Sequence, residues 1–334
     1  EEGWLRIGPS AARRAHLRNE ERRVVVALGC LRAAGKLEGI TTLDVGRHQG
    51  GLLDLSPVRG LTSLTSLQLH LSQEVRSLKG LEEFAALRLL KLTGGPVDDL
   101  SPLAGLTQLT SLHLADIKAH SLSPLAGLTQ LETVEIRNAG ALVDCAALGN
   151  LSRLKTLNMS RCSALADITP LRACTALEEL KMDHAGLTVI PSLAGLTALK
   201  RLTIEYSKAL TRVEDLSGLT ALEWLDLSSN EALSDLSGLT VLPALKILRL
   251  HGAKVLTRLP NLSGLTALES LSCGYCSGLE DVSGMAGLAT LEEAALYHCP
   301  SLRSVAVLAT LPALQKVSLY GSHLIPEEER QLYT

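Results

Sequence analysis

The chain has 334 residues, a formal net charge of −3, 46% apolar residues and only 2% aromatic ones. So even a charge balance gives bulk electrostatics no reason to select a nucleic-acid partner, and no uncharged apolar run of about 18 residues, the length that crosses a bilayer, occurs. The single phenylalanine, Phe84, excludes an ordinary aromatic-filled interior, so Leu, Ala and Val must fill a narrow core that repeats one small slot.

The first 36 residues predict an N-terminal capping helix. Ser10 follows Pro9 as an N-cap, and Gly35 supplies a C-terminal stop. Between them Leu17, Val24, Leu28 and Leu31 form an apolar stripe, opposed by Arg13, Arg14, Arg18, Arg22 and Arg23. Capping is the expected role, and docking to an acidic partner or a neighbouring domain is the alternative. The chain opens on Glu1-Glu2 without a methionine or a visible signal peptide, so it is expected to be a segment of a longer protein with possible flanking domains. Seven cysteines, an odd number not gathered at the ends, point to a reduced, cytoplasmic or otherwise intracellular setting.

From residue 37 to 319 one pattern recurs. Leu106-Thr-Gln-Leu109-Thr-Ser-Leu112-His-Leu114, Leu128-Thr-Gln-Leu131-Glu-Thr-Val134-Glu-Ile136 and Leu219-Thr-Ala-Leu222-Glu-Trp-Leu225-Asp-Leu227 share the form L-x-x-L-x-x-L-x-L. Its first residue falls at Leu37, Leu61, Phe84, Leu106, Leu128, Leu151, Cys174, Leu196, Leu219, Leu242, Leu265, Leu288 and Leu311, which makes thirteen repeats of 22 to 24 residues. The final L-x-L alternates with period two, so it is a short strand with both apolar residues inward. Successive strands pair in parallel. The return segments, such as Leu100-Ser-Pro-Leu-Ala-Gly-Leu106, are too short for long helices and predict 3-10 or short helical turns begun by proline. The fold class expected is an α/β solenoid, curved because strands pack closer than returns, with the strands on the concave face. Residues 320–334 predict a C-terminal cap, where Pro326-Glu-Glu-Glu329 opens a short helix with acidic residues at its positive end.

These motifs resemble the leucine-rich-repeat superfamily, in its short-repeat, internalin-like type. The Gly-Leu-Thr-Ala-Leu-Glu wording and the Cys-x-x-Leu runs from Cys162, Cys276 and Cys299 also resemble two further groups, the repeat regions of bacterial nucleotide-binding immune-type sensors and the intracellular repeat proteins of kinetoplastids. The resemblance implies a recognition fold that holds another macromolecule on its concave side. One position departs from the family. Three residues after the second strand leucine, where the family carries a ladder of asparagines, this chain has only Asn230, with small residues such as Ser207, Cys276 and Ser322 elsewhere. The ladder of side-chain hydrogen bonds is therefore expected to be mostly missing.

The outward residues flanking each dyad read bland in the first four repeats and charged in the middle, where Lys181, Asp183, Arg201 and Glu205 stand. Then aromatics arrive. Trp224 stands with Asp226, Arg249 with His251, and Tyr297 and Tyr320 follow, while Tyr206 and Tyr275 lie one step further along their strand exits. Trp, Tyr and Arg most often carry binding energy, and mixed charge suits a protein partner better than a phosphate backbone. The expectation is a non-catalytic scaffold or sensor segment whose binding face spans repeats 7–13, with no cofactor and no metal. The alternative is a structural subunit of a large assembly, held by its ends and convex side. Catalysis finds little support. The Cys273/Cys276 pair has no second pair to complete four metal ligands, and His184 beside Asp183 and Lys181 has no nucleophile opposite it. No phosphate-binding glycine loop of the P-loop form occurs.

Overall fold

The computed structural model describes residues 13–17, 29–30, 39–45 and 55–333. The expected parallel-strand solenoid is what the chain forms, in two compact units, residues 1–158 and 159–334. In the first unit the strands are β1 (Arg13–Leu17), β2 (Ile40–Val45), β3 (Ser66–His70), β4 (Leu89–Thr93), β5 (Ser111–Ala115), β6 (Thr133–Arg137) and β7 (Thr156–Asn158), each parallel to the next. In the second unit β8 (Glu179–Lys181), β10 (Arg201–Thr203), β12 (Trp224–Asp226), β13 (Ile247–Arg249), β14 (Ser270–Ser272), β15 (Glu293–Ala295) and β16 (Lys316–Ser318) pair in the same manner. On the return side of the second unit, β9 (Val189–Ile190) pairs with β11 (Arg212–Val213).

The register repeats because the core does. Leu180, Leu202, Leu225, Leu248 and Leu271 stand opposite one another in adjacent strands and are fully buried. Phe84, the one aromatic side chain in the buried core of the described residues, is fully buried as well. Returns take short 3-10 turns, such as Ser101–Leu103, Ser123–Leu125 and Thr169–Ala173, each with proline in its first positions, where the missing N–H is not needed.

The N-terminal helix expected over 9–34 is corrected in part. Residues Arg13–Leu17 are extended and lie parallel to β2, with Ala15 opposite Leu43 and Leu17 opposite Val45. The two-residue spacing of Ala15 and Leu17 matches the strand dyad, and pairing to a sheet edge satisfies the backbone without a helix. Gly29 and Cys30 are helical. The proposed cap Ser10 and stop Gly35 lie outside the described residues.

The returns are opened by a device the repeat pattern alone hides. One residue before the first return leucine, an Asp, Asn or Ser side chain accepts the N–H two residues on. Asp99 does so from Ser101 at 2.8 Å, Asp215 from Ser217 at 2.8 Å, Asp281 from Ser283 at 2.7 Å and Asn261 from Ser263 at 3.0 Å. These are Asx turns that supply the hydrogen bond the first turn lacks. The accepted N–H holds the Asp99, Asp215, Asp235 and Asp281 carboxyls below their ordinary range, with a serine hydroxyl adding to it. Because the folded value is the lower one, the stabilisation is complete above the ordinary carboxylate range and is lost as pH falls through the depressed values. Thermal melts should be flat from neutral pH to about 5 and fall below about pH 4. A D99N/D215N/D281N variant, which keeps the acceptor as Asn261 does, should show a shallower acid slope. An identical slope would remove these carboxylates from the account.

The ladder three residues after each dyad is corrected in part. Gly95, Ile117, Ala139, Ala185 and Ala253 have no side chain that could carry it, but elsewhere in the second unit a mixed set of side chains does. Asn230 donates to the carbonyls of Ile204 at 2.7 Å and Leu227 at 2.8 Å and accepts the Ser207 N–H at 2.8 Å. Ser322 donates to Leu296 at 2.7 Å and accepts the Cys299 N–H at 2.9 Å. The thiols of Cys276 and Cys299 donate to Leu250 at 3.2 Å and Cys273 at 3.0 Å. A hydroxyl or thiol of the right reach thus replaces the amide.

Candidate functional site

The site grows from how each strand ends. The residue after the second inward apolar residue still faces outward, and the next turns left-handed so that the chain can enter the return. In the second unit this left-handed position is held by Arg161, His184, Tyr206, Ser229, Gly252, Tyr275, His298 and Gly321, with φ between 53° and 76°. Six of these eight are neither Gly nor Asn. Each such residue costs roughly 1–2 kcal/mol relative to right-handed backbone. A cross-repeat bond offsets it. The His184 N–H donates to Glu205 at 2.8 Å, the Tyr206 N–H to Ser228 at 3.2 Å and the Tyr275 N–H to Tyr297 at 2.9 Å. The turn leaves Tyr206 and Tyr275 about half exposed, at 48% and 49%.

Rings gather along this exit edge. His184 stacks on Tyr206 with centroids 5.0 Å apart. Further along, Tyr275 meets His251 at 5.0 Å, Tyr297 at 5.5 Å and His298 at 4.6 Å, and His298 meets Tyr320 at 5.1 Å. Tyr297 reaches back over two repeats, its hydroxyl 3.2 Å from His251 Nδ1. It can do so because the intervening residue is Gly274, where a Cβ would lie 2.4 Å from the ring. Gly321 likewise leaves room for His298. Tyr320 is 77% exposed. Arg249 lies over Trp224, 4.3 Å from the ring centroid, within the range of a cation–π contact.

The predicted charged residues divide. Lys181 pairs with Asp183 at 2.9 Å, and Arg249 stands 3.7 Å from the buried Asp226, which also accepts the Ser228 N–H at 3.0 Å. Glu205 sits among these carboxylates. Its own burial, and then the charges of Asp226 and Asp183, push its carboxyl above the usual range. Asp183 Oδ1 is buried and has no hydrogen-bond partner among the described residues. Arg201 stands at the strand-entry edge on Glu179 at 3.0 Å, opposite Trp224 in the adjacent strand, and away from the carboxylate cluster. Thus Lys181, Asp183, Glu205 and Asp226 come together, as do Trp224 with Arg249, and His251, Tyr275, Tyr297 and Tyr320. The member missed from the sequence is His298. Its signal was its place two residues after the dyad, shared with Tyr206 and Tyr275, and the glycine one repeat later.

Neither cysteine of the Cys273/Cys276 pair is accessible. Both are buried, Cys273 inward and Cys276 in the ladder. Burial also pushes the Cys174 thiol up to about 11 and the Cys299 thiol up to about 12, the behaviour of inert structural thiols. Among the described residues no group of three or more His, Cys, Asp and Glu is placed to hold a metal ion. None of the described helices is long and apolar enough to cross a membrane.

No protein-family model matches the chain, and no curated protein does. Solved structures do. An internalin from Listeria monocytogenes is 24% identical, with 84% of this chain and 80% of that one covered and a TM-score of 0.64. TLR13 in complex with ssRNA13 is 20% identical over 86% of this chain and 52% of its own, with a TM-score of 0.56. The leucine-rich-repeat ectodomain of the plant membrane receptor kinase GASSHO1/SCHENGEN3 from Arabidopsis thaliana, in complex with Casparian strip integrity factor 2, is 18% identical over 79% and 36%, with a TM-score of 0.50. At these identities the likeness shows the fold. The chain has a leucine-rich-repeat fold of the internalin-like type.

Proposed function

We propose that this chain is a non-catalytic recognition module, a scaffold or the sensor segment of a longer protein, which holds a protein partner on the strand face of repeats 7–13. The observation that carries this reading is the concentration of rings. Four of the five tyrosines in the sequence stand along one exit edge, in a chain that excludes aromatics almost everywhere else. Such residues dominate binding energy at protein interfaces. They stand just past the strand ends, on backbone fixed by cross-repeat hydrogen bonds such as Tyr275 N–H to Tyr297 and His298 N–H to Tyr320, which suits a surface that must hold its shape. The neighbours that bind RNA and a named plant factor lend the fold a binding role without fixing the partner. Half-buried carboxylates among the rings favour a protein over a phosphate backbone. Buried thiols serving as hydrogen-bond donors in the ladder fit a reducing, intracellular setting.

Affinity capture with mass spectrometry tests the placement, comparing the chain with a W224A/Y297A/Y320A variant of unchanged melting temperature. Truncating central aromatic anchors costs about 2 kcal/mol or more each, so a partner should be lost from the variant. If both forms retain the same partners, the chain is gripped by its ends or return side, as a structural subunit of an assembly would be.

A further inference from the structure

The exit edge has a chemistry of its own. Repeats 7–13 each contribute two residues to it, the one after the dyad and the left-handed one that follows. Those fourteen positions hold four Tyr, three His, two Ser, three Gly and two carboxylates, Asp183 and Glu205, with no lysine and no arginine. The nearest basic residue along the left-handed column is Arg161, one repeat before. Lys181 reaches Asp183 from the middle of its strand at 2.9 Å, and Arg249 offers Asp226 a looser contact at 3.7 Å while lying over Trp224. The Lys181 ammonium, held on Asp183, eases Glu205 only in part, and the Glu205 carboxyl shares a hydrogen bond with Asp226. It stands one repeat from a carboxylate on each side, and its neighbour Tyr206 presents a half-exposed ring stacked on His184.

A half-buried carboxylate set between two others and beside an aromatic face is unfavourable alone and is relieved by a cation. A guanidinium or ammonium can bond the carboxylate and cover the ring at once. An anion would meet three carboxylates. Resting on the recognition reading above, we propose that the partner presents a basic extended peptide segment along this edge, a Lys or Arg side chain binding Glu205 against Tyr206 while its flanking residues lie on the ring row from His251 to Tyr320.

The test uses the full chain and a random 12-residue peptide library displayed on phage, keeping only peptides that the W224A/Y297A/Y320A variant fails to retain. The expected result is enrichment of Lys and Arg by threefold or more and depletion of Asp and Glu. For an enriched peptide, Glu205→Gln should raise Kd tenfold or more, and Glu293→Gln, an exposed carboxylate of β15 at the strand-entry edge, should leave it unchanged. Glu205→Gln removes a charge its surroundings disfavour, so its melting temperature should not fall. Should it fall, Asp183→Asn serves as the second variant, with the same rise in Kd expected. Ring-dependent peptides that are acidic or uncharged, or a Kd indifferent to Glu205, would overturn the basic-segment proposal and leave the recognition reading standing. Ring-dependent binding of a 20-nucleotide single-stranded RNA in preference to any peptide would overturn it as well. Retention of no ring-dependent peptide or RNA would count against both.

Discussion

Asn230→Ala should be among the most damaging single substitutions in the second unit, lowering stability by about 3 kcal/mol or more. Asn230 is fully buried and makes three hydrogen bonds, accepting the Ser207 N–H and donating to the carbonyls of Ile204 and Leu227. Alanine leaves one donor and two acceptors facing an apolar interior, each costing roughly 1–3 kcal/mol when nothing replaces the lost partner. Asn230→Ser should cost clearly less, because Ser322 already performs the donor and acceptor roles at the equivalent position. Urea melts of the two variants decide it. Equal losses would mean that cavity volume, not hydrogen bonding, sets the cost.

The second large effect contrasts two glycines that look alike in sequence. Gly105 and Gly264 both precede Leu-Thr in a return. A Cβ on Gly105 would meet nothing within 4 Å, whereas one on Gly264 would lie 2.0 Å from the carbonyl oxygen of Thr240. The difference comes from the return. The spacing is the same, but around Gly105 the Ser-Pro-Leu segment forms a 3-10 turn, whereas around Gly264 the Leu-Ser-Gly segment forms none and lies directly on the backbone of the preceding repeat. Backbone cannot swing aside as a side chain can, so Gly264→Ala should cost about 3 kcal/mol. Gly105→Ala should be neutral or stabilising by roughly 0.4–1 kcal/mol through loss of unfolded-state freedom. Paired thermal melts check both, and a destabilised Gly105→Ala would show that the returns with a 3-10 turn are as tight as those without one.

Most of the fold was legible because each strand repeats the same two inward residues. A dyad such as Leu225-Asp-Leu227 commits its backbone with no help from distant sequence. What sequence did not yield were features in which one repeat answers another. The ladder was misread in part, because Cys276 and Ser322 look like fillers until their donors are seen to reach carbonyls 26 residues back. Arg13–Leu17 was misread because an apolar stripe running on to Leu31 masks the local Ala15-x-Leu17 alternation. At the candidate site the residue types were readable, since a chain so poor in aromatics advertises where its tyrosines stand. Their partners were not. That Tyr297 reaches His251 depends on an empty space at Gly274, and an absence of side chain carries no periodic signal.

The left-handed exit position has a consequence for how such a surface changes over generations. Its side chain leaves the sheet beyond the last inward residue, and its backbone is fixed by a main-chain bond to the next repeat whatever the side chain is. Histidine, tyrosine, serine, arginine and glycine all occupy it here. A substitution there edits one letter of the surface text without asking the interior to repack, and neighbouring letters remain where they were. Selection can therefore rewrite what the edge recognises quickly and in small steps, while the leucines beneath change slowly.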